Sequence, residues 1–259
     1  MATAKTNRKE RRLNKQGSTN EDKYKLSLAK ISPVTENQRM SFELYDDGKN
    51  LLLHGVPGSG KSFVSLFLAL EEVMEDLNTL RKVVIIRSAQ SSKAIGFLPG
   101  TAQQKMEVFE APYISICAKL FERGDAYQIL KNKNLLEFES TSFLRGTTID
   151  NAVVIIDEAQ NLSYMELKTI LTRIGENSRV IVCGDVNQDD LTSSRYSEVS
   201  GLKSMIPILN KIPSIKTVEF GVEDIVRSGF VREFIIAELQ QIGYLDDTKT
   251  LQSQSYCAA

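Results

Sequence analysis

The chain has 259 residues, an apolar fraction of 42% and a formal net charge of −1 at pH 7. That length suits one α/β domain whose core is stable without disulfides, and the near-neutral balance excludes a strong polyanion binder driven by global charge. Cys117, Cys183 and Cys257 lie far apart with no Cys-x-x-Cys spacing, which argues against a disulfide framework or a zinc site, and no apolar run approaches the roughly 20 residues of a membrane span, so a soluble protein of the reducing cytoplasm is expected.

Residues 1–29 are polar and basic: Lys5, Arg8, Lys9, Arg11, Arg12 and Lys15 face only Glu10. A flexible tail is expected there, either simply solvated or also touching nucleic acid or another acidic surface. The folded domain is expected over 30–243, with a second loose tail over 244–259. Pro33 turns the chain, and a helix follows with Thr35 as its cap and Asp46-Asp47-Gly48 as its end. Asn50 to His54 reads as a short buried strand. A glycine-rich turn comes next, and then Phe63, Val64, Phe67, Leu70, Val73, Met74 and Leu77 recur at helical spacing.

Lys82 to Arg87 is the second strand. Residues 88–104 read as a loop broken by Gly96, Pro99 and Gly100, followed by a helix through Tyr113 to Phe121. Leu135 to Ser140 and Ala152 to Ile156 are further strands. Ser163 and Glu166 form the capping-box spacing of a helix that Gly175 closes. Arg179 to Cys183 and Ile215 to Phe220 are strands, and Glu223 to Leu239 reads as one long helix. Continuous Val/Ile/Leu strands alternating with helices predict an α/β fold: one mainly parallel sheet flanked by helices on both faces.

Gly55-Val56-Pro57-Gly58-Ser59-Gly60-Lys61-Ser62 matches G-x-x-x-x-G-K-[ST] throughout, with an apolar strand before it and an amphipathic helix after it. Glycines let backbone N–H groups turn inward around an anion, and the helix directs its positive end at the same place. Lys61 adds a mobile point charge for the β- and γ-phosphates, and the Ser62 hydroxyl is a hard oxygen ligand for Mg²⁺. Phe63 completes the candidate nucleotide-binding stretch. His54, the only histidine, ends the preceding strand and reads as a packed or capping residue.

Parallel strands deliver their carboxyl ends to one sheet edge, where ligands bind. Asp157 is the first residue beyond the apolar run Val153 to Ile156 and emerges beside the phosphate loop, in position to hold Mg²⁺. Glu158 points differently and suits proton abstraction from an attacking water. Alone, the two acids also read as caps of a strand-to-helix turn; the complete phosphate loop favours the catalytic reading. After the next strand, Gly184-Asp185-Val186-Asn187-Gln188 brings Gln188 to the same edge, as a γ-phosphate contact or a loop glutamine.

The order of these pieces resembles the PhoH-like ATPases, relatives of superfamily 1 helicases. The resemblance spans about Ile31 to Leu239 and rests on Asn37-Gln38, Gly96-Phe-Leu-Pro-Gly100, Phe143-Leu-Arg-Gly-Thr147, Ile156-Asp-Glu-Ala-Gln-Asn161, Leu171-Thr-Arg-Ile-Gly175, Gly184-Asp-Val-Asn-Gln188 and Asp224-Ile-Val-Arg227. It implies a single RecA-like core binding ATP with Mg²⁺. Gln38 would read the adenine edge, Gln188 would sense the γ-phosphate, and Arg227 would be an arginine finger, with Arg145 and Arg173 as rivals.

A lone core leaves half of the nucleotide site open. The resemblance implies closure by assembly into a homo-oligomeric ring, often a hexamer, with the finger supplied in trans. It also implies contact with single-stranded RNA or DNA through the loop from Arg87 to Lys93, with Phe97 as a stacking residue; a solvated loop is the alternative. Two functions stay in view: a nucleic-acid-coupled ATPase, and a nucleotide-gated RNA- or DNA-binding protein with slow turnover. Glu158 and Gln188 speak against a small-molecule phosphotransferase.

Overall fold

The computed structural model describes residues 26–75, 79–88, 102–141, 148–186, 200–241 and 243–244, without the side chains of 102–106. Six strands form one parallel sheet: β1 (Asn50–Gly55), β2 (Lys82–Arg87), β3 (Leu136–Ser140), β4 (Ala152–Ile156), β5 (Arg179–Gly184) and β6 (Ile215–Phe220), in the order β3-β2-β4-β5-β1-β6. The helices between them are α1 (Glu36–Asp46), α2 (Lys61–Val73), α3 (Ala102–Leu120), α4 (Ala126–Asn132), α5 (Tyr164–Leu171), α6 (Gly201–Leu209) and α7 (Phe230–Gln241). The predicted α/β class and parallel sheet therefore hold.

Pleating sorts the strand residues onto two cores. Leu51, Leu53, Val83, Ile85, Val153, Ile155, Ile181 and Cys183 pack under α1 to α4. Leu52, Val84, Ile86, Val154, Ile156, Val180 and Val182 pack under α5 and α6. Both faces of the central strands are therefore dry, which is why β4 is an unbroken buried run, Ala152 to Ile156. Every strand points its carboxyl end the same way, so the segments after β1, β4 and β5 meet at one edge.

Local signals act as their chemistry predicts. The Thr35 hydroxyl accepts the Gln38 N–H at 3.3 Å. The Ser163 box is complete: Glu166 N–H donates to Ser163 Oγ at 3.3 Å, and Ser163 N–H donates back to Glu166 Oε2 at 2.9 Å.

Several expectations are corrected. Leu26, assigned to the flexible tail, is buried in the larger core, and Ala29 N–H donates to Leu120 O at 2.8 Å. The helix before Phe121 begins eleven residues earlier than Tyr113, at Ala102. α4 and α6 were not foreseen. α5 ends at Leu171 rather than at Gly175, because Ile174 forms a parallel bridge with Ile149, whose N–H donates to Arg173 O and whose O accepts from Gly175 N–H, both at 2.8 Å. The long helix over 223–239 is instead a 3₁₀ turn, Val222–Asp224, an extended stretch and then α7. Asp224 Oδ2 stops the helix by accepting from Gly221 N–H at 2.9 Å and Asn37 Nδ2 at 2.7 Å, and Gly229 turns the chain with φ of 56°.

At the other end of the sheet Arg179 carries a concentrated load. It donates to Glu72 Oε2 at 2.7 Å, Tyr45 O at 2.8 Å and Lys49 O at 2.6 Å, and its guanidinium lies 3.5 Å from the Tyr45 ring centroid. Both charged side chains are nearly buried, at 13% and 9% exposure. Arg179→Leu breaks this nearly buried ion pair and removes the guanidinium's bonds to two backbone carbonyls, and urea unfolding is expected to show a loss of about 3 kcal/mol.

Candidate active site

The phosphate loop runs from the end of β1 into α2. Its first residue, Gly55, has φ of 125°, and a Cβ there would lie 2.1 Å from Phe220 O; only glycine lets β1 run this close to β6. Gly58 and Gly60, at φ of 75° and 85°, fold the loop around Ser59 into the kind of turn that gathers amide groups into an anion-binding concavity. α2 starts at Lys61 and adds its unpaired amino-terminal N–H groups.

The loop is braced from behind. Ser59 is buried and its hydroxyl donates to Val56 O at 2.9 Å. Gln38 Nε2 donates to Ser59 O at 3.0 Å, while its Oε1 accepts from Val34 N–H at 3.0 Å. Each end of that amide keeps one further hydrogen-bonding position. On the other side Val226 N–H donates to Gly58 O at 3.1 Å. Ile235 and Leu239 of α7 pack with Ile225 against Val56.

Lys61 uses all three ammonium hydrogens inside the loop: to Gly55 O at 2.9 Å, Val56 O at 2.7 Å and Ser59 Oγ at 3.2 Å. Burial lowers its pKa, opposed by the nearby carboxylates of Asp185, Glu158 and Asp157. Ser62 Oγ donates to Asp157 Oδ1 at 3.0 Å, so the loop and the end of β4 touch directly. A hydroxyl and a carboxylate side by side at an anion cradle are a hard-oxygen pair of the kind that holds Mg²⁺ together with phosphate oxygens. The donor set fits that ion. Asp157 Oδ1 also accepts from Glu158 N–H at 3.1 Å, and its Oδ2 accepts a third bond, from the buried Tyr113 hydroxyl at 2.8 Å.

Glu158 sits at φ of 51°, an uncommon conformation for a side-chain-bearing residue, which turns its carboxylate away from that of Asp157. Gln160 Nε2 donates to Glu158 Oε2 at 2.6 Å, and Gln160 Oε1 accepts from Asp185 N–H at 3.0 Å. Arg87 Nη2 lies 3.9 Å from Glu158 Oε1, and its guanidinium sits 5.9 Å from the Phe109 ring centroid. Burial first, and the Asp157 charge second, raise the Glu158 carboxyl above its usual 4.5, against the pull of Arg87, Gln160 and Lys61.

A cleft of about 630 Å³ joins these groups, with Gln38, Pro57, Lys61, Ser62, Phe63, Asp157, Glu158 and Arg227 all on its wall. Arg227 lies on the cleft wall beside Gly58 and is exposed to solvent. Arg173 lies at the opposite edge of the sheet, beside Ile149 ahead of β4, and is not brought to this cleft. His54 is buried, as expected of a packed residue. Gln188, Arg145, Lys93 and Phe97 lie outside the described residues.

Sequence reasoning missed three members. Tyr113 looked like one apolar position of a helix, Gln160 like a family signature without a task, and Arg87 like the start of a polar loop. Only the pairing of Gln160 with an adjacent acid offered a signal.

A family model described as PhoH-like protein matches residues 30–238. The chain is 30% identical over 210 residues to a PhoH-like protein of Mycobacterium leprae (strain TN), covering 80% of this chain and 58% of that one. It is 32% identical over 185 residues to Protein PhoH of Escherichia coli (strain K12), covering 71% and 51%. The chain thus spans little more than half the length of these curated relatives. Among solved structures, a Pif1 helicase from Candida albicans aligns with a TM-score of 0.36 at 15% identity, covering 73% of this chain and 40% of that one.

Proposed function

The chain belongs to the PhoH-like family, and from that premise we propose that it hydrolyses ATP with Mg²⁺, as a ring of identical copies coupled to single-stranded nucleic acid. The contact between Ser62 and Asp157, with Glu158 alongside, supports this reading most directly. It brings the phosphate loop and the two acids to one cleft.

Ser62 and Asp157 would hold Mg²⁺, which would supply charge neutralisation at the phosphates. Lys61 exchanges its loop carbonyls for the β- and γ-phosphate oxygens. Glu158, ionised and freed from Gln160, accepts the proton of the attacking water, and its raised pKa makes it the stronger base. Arg227 contributes charge from the same chain, Gln188 contacts the γ-phosphate, and Gln38 reads the adenine edge with its remaining donor and acceptor.

The ring reading draws on the surface beside Arg227. Phe230, Val231 and Phe234 on α7 are 78%, 50% and 56% exposed, an apolar stretch that follows Val226 and Arg227 of the cleft wall in sequence. A neighbouring copy covering that face also closes the open side of the nucleotide site. The free, buried Cys117 and Cys183 suit a reducing cytoplasm, and no helix among the described residues is long and apolar enough to cross a membrane.

ATP turnover measured with and without single-stranded RNA and DNA, alongside mass by light scattering, tests the whole. Stimulation by a single strand and a mass several times 29.0 kDa are expected. Turnover indifferent to both nucleic acids, with neither bound, rejects the coupling; a strictly monomeric, fast ATPase rejects the ring.

A further inference from the structure

A carboxylate has two equivalent oxygens, and the torsion that exchanges them is soft and two-fold. Asp157 is not left that freedom. Its Oδ1 accepts from Ser62 Oγ at 3.0 Å and from Glu158 N–H at 3.1 Å, and its Oδ2 accepts from Tyr113 at 2.8 Å. The phenol comes from α3, a different element from either acid or loop.

Tyr113 is built into its position. It is 1% exposed, and its ring lies 5.6 Å from that of Phe138 on β3. Cys117 and Leu120, one and two turns further along α3, are fully buried in the same core. The aromatic body fixes the hydroxyl, and the hydroxyl fixes the carboxylate plane. Partners of this kind, behind a metal-binding carboxylate, govern how well the ligand presents itself.

We propose that Tyr113 is a positioning residue for the divalent cation: by occupying Oδ2 it commits Oδ1 of Asp157 to the Ser62 side, where the metal is held. The inference rests on the metal role of Asp157 and Ser62 given above. Tyr113 is not on the cleft wall and acts through Asp157.

The test is binding of a non-hydrolysable ATP analogue to the full chain by calorimetry, across a MgCl₂ titration and in EDTA. Tyr113→Phe keeps the ring and its contact with Phe138 and removes only the hydroxyl. The Mg²⁺ concentration for half-maximal tightening is expected to rise about tenfold, with affinity in EDTA and the circular dichroism spectrum unchanged. An unchanged Mg²⁺ requirement, or an equal loss of affinity with and without Mg²⁺, overturns the proposal. Asp157→Asn separates the two levels. If it shifts the Mg²⁺ requirement and Tyr113→Phe does not, the Tyr113 role alone falls. If neither shifts it, the metal reading of Asp157 falls as well.

Discussion

Glu158→Gln is expected to bind ATP as tightly as the parent and to hydrolyse it about 10²- to 10⁴-fold more slowly, the usual worth of a general base. The substitution is nearly isosteric and keeps the side chain beside Gln160, so the fold and the loop are undisturbed. It removes only the ability to take a proton. Single-turnover hydrolysis beside equilibrium binding reads the two quantities separately. In the parent the rate falls as pH drops, because the carboxylate must be ionised to act; the raised pKa places that fall above the ordinary glutamate value of 4.5. A variant that hydrolyses ATP at the parental rate removes Glu158 from the mechanism.

Lys61→Ala is expected to fail one step earlier, at binding. The ammonium group makes three bonds that hold the loop and are exchanged for phosphate contacts. Hydrogen bonds to a charged group contribute about 1.5–3 kcal/mol, so ATP affinity should fall by about 10- to 100-fold, with a smaller loss for AMP, which lacks the β- and γ-phosphates. Equal losses for ATP and AMP point instead to collapse of the loop.

The strands were legible because a sheet buried on both faces demands unbroken Val/Ile/Leu runs, and few other structures do. The phosphate loop was legible because its glycines answer to backbone geometry: the Cβ excluded at Gly55 by Phe220 O leaves no alternative residue. The break before α7 was hidden because the apolar spacing carries on across it. What stops the helix is a tertiary bond from Asn37 to Asp224, 187 positions away in sequence. Tyr113 was hidden for a related reason. A tyrosine at an apolar helical position gives the same pattern whether its hydroxyl is idle or bonded, and the carboxylate that decides lies 44 positions on. Arg227 was visible as a candidate, but its place on the cleft wall depends on the turn that brings Val226 onto Gly58.

The sheet order has a mechanical consequence. β5 lies between β1, which carries the phosphate loop, and β4, which carries Asp157. Adjacent strands are about 4.8 Å apart, so β1 and β4 stand about 10 Å apart and share no backbone bond. Among the described residues, the Ser62 to Asp157 bond spans that gap at the carboxyl edge of the sheet. Under the proposed function, a nucleotide gripped from both sides would be a rivet across three strands, and hydrolysis followed by phosphate release would loosen it. The same chemistry that spends the ligand thereby changes the stiffness of the sheet that holds it.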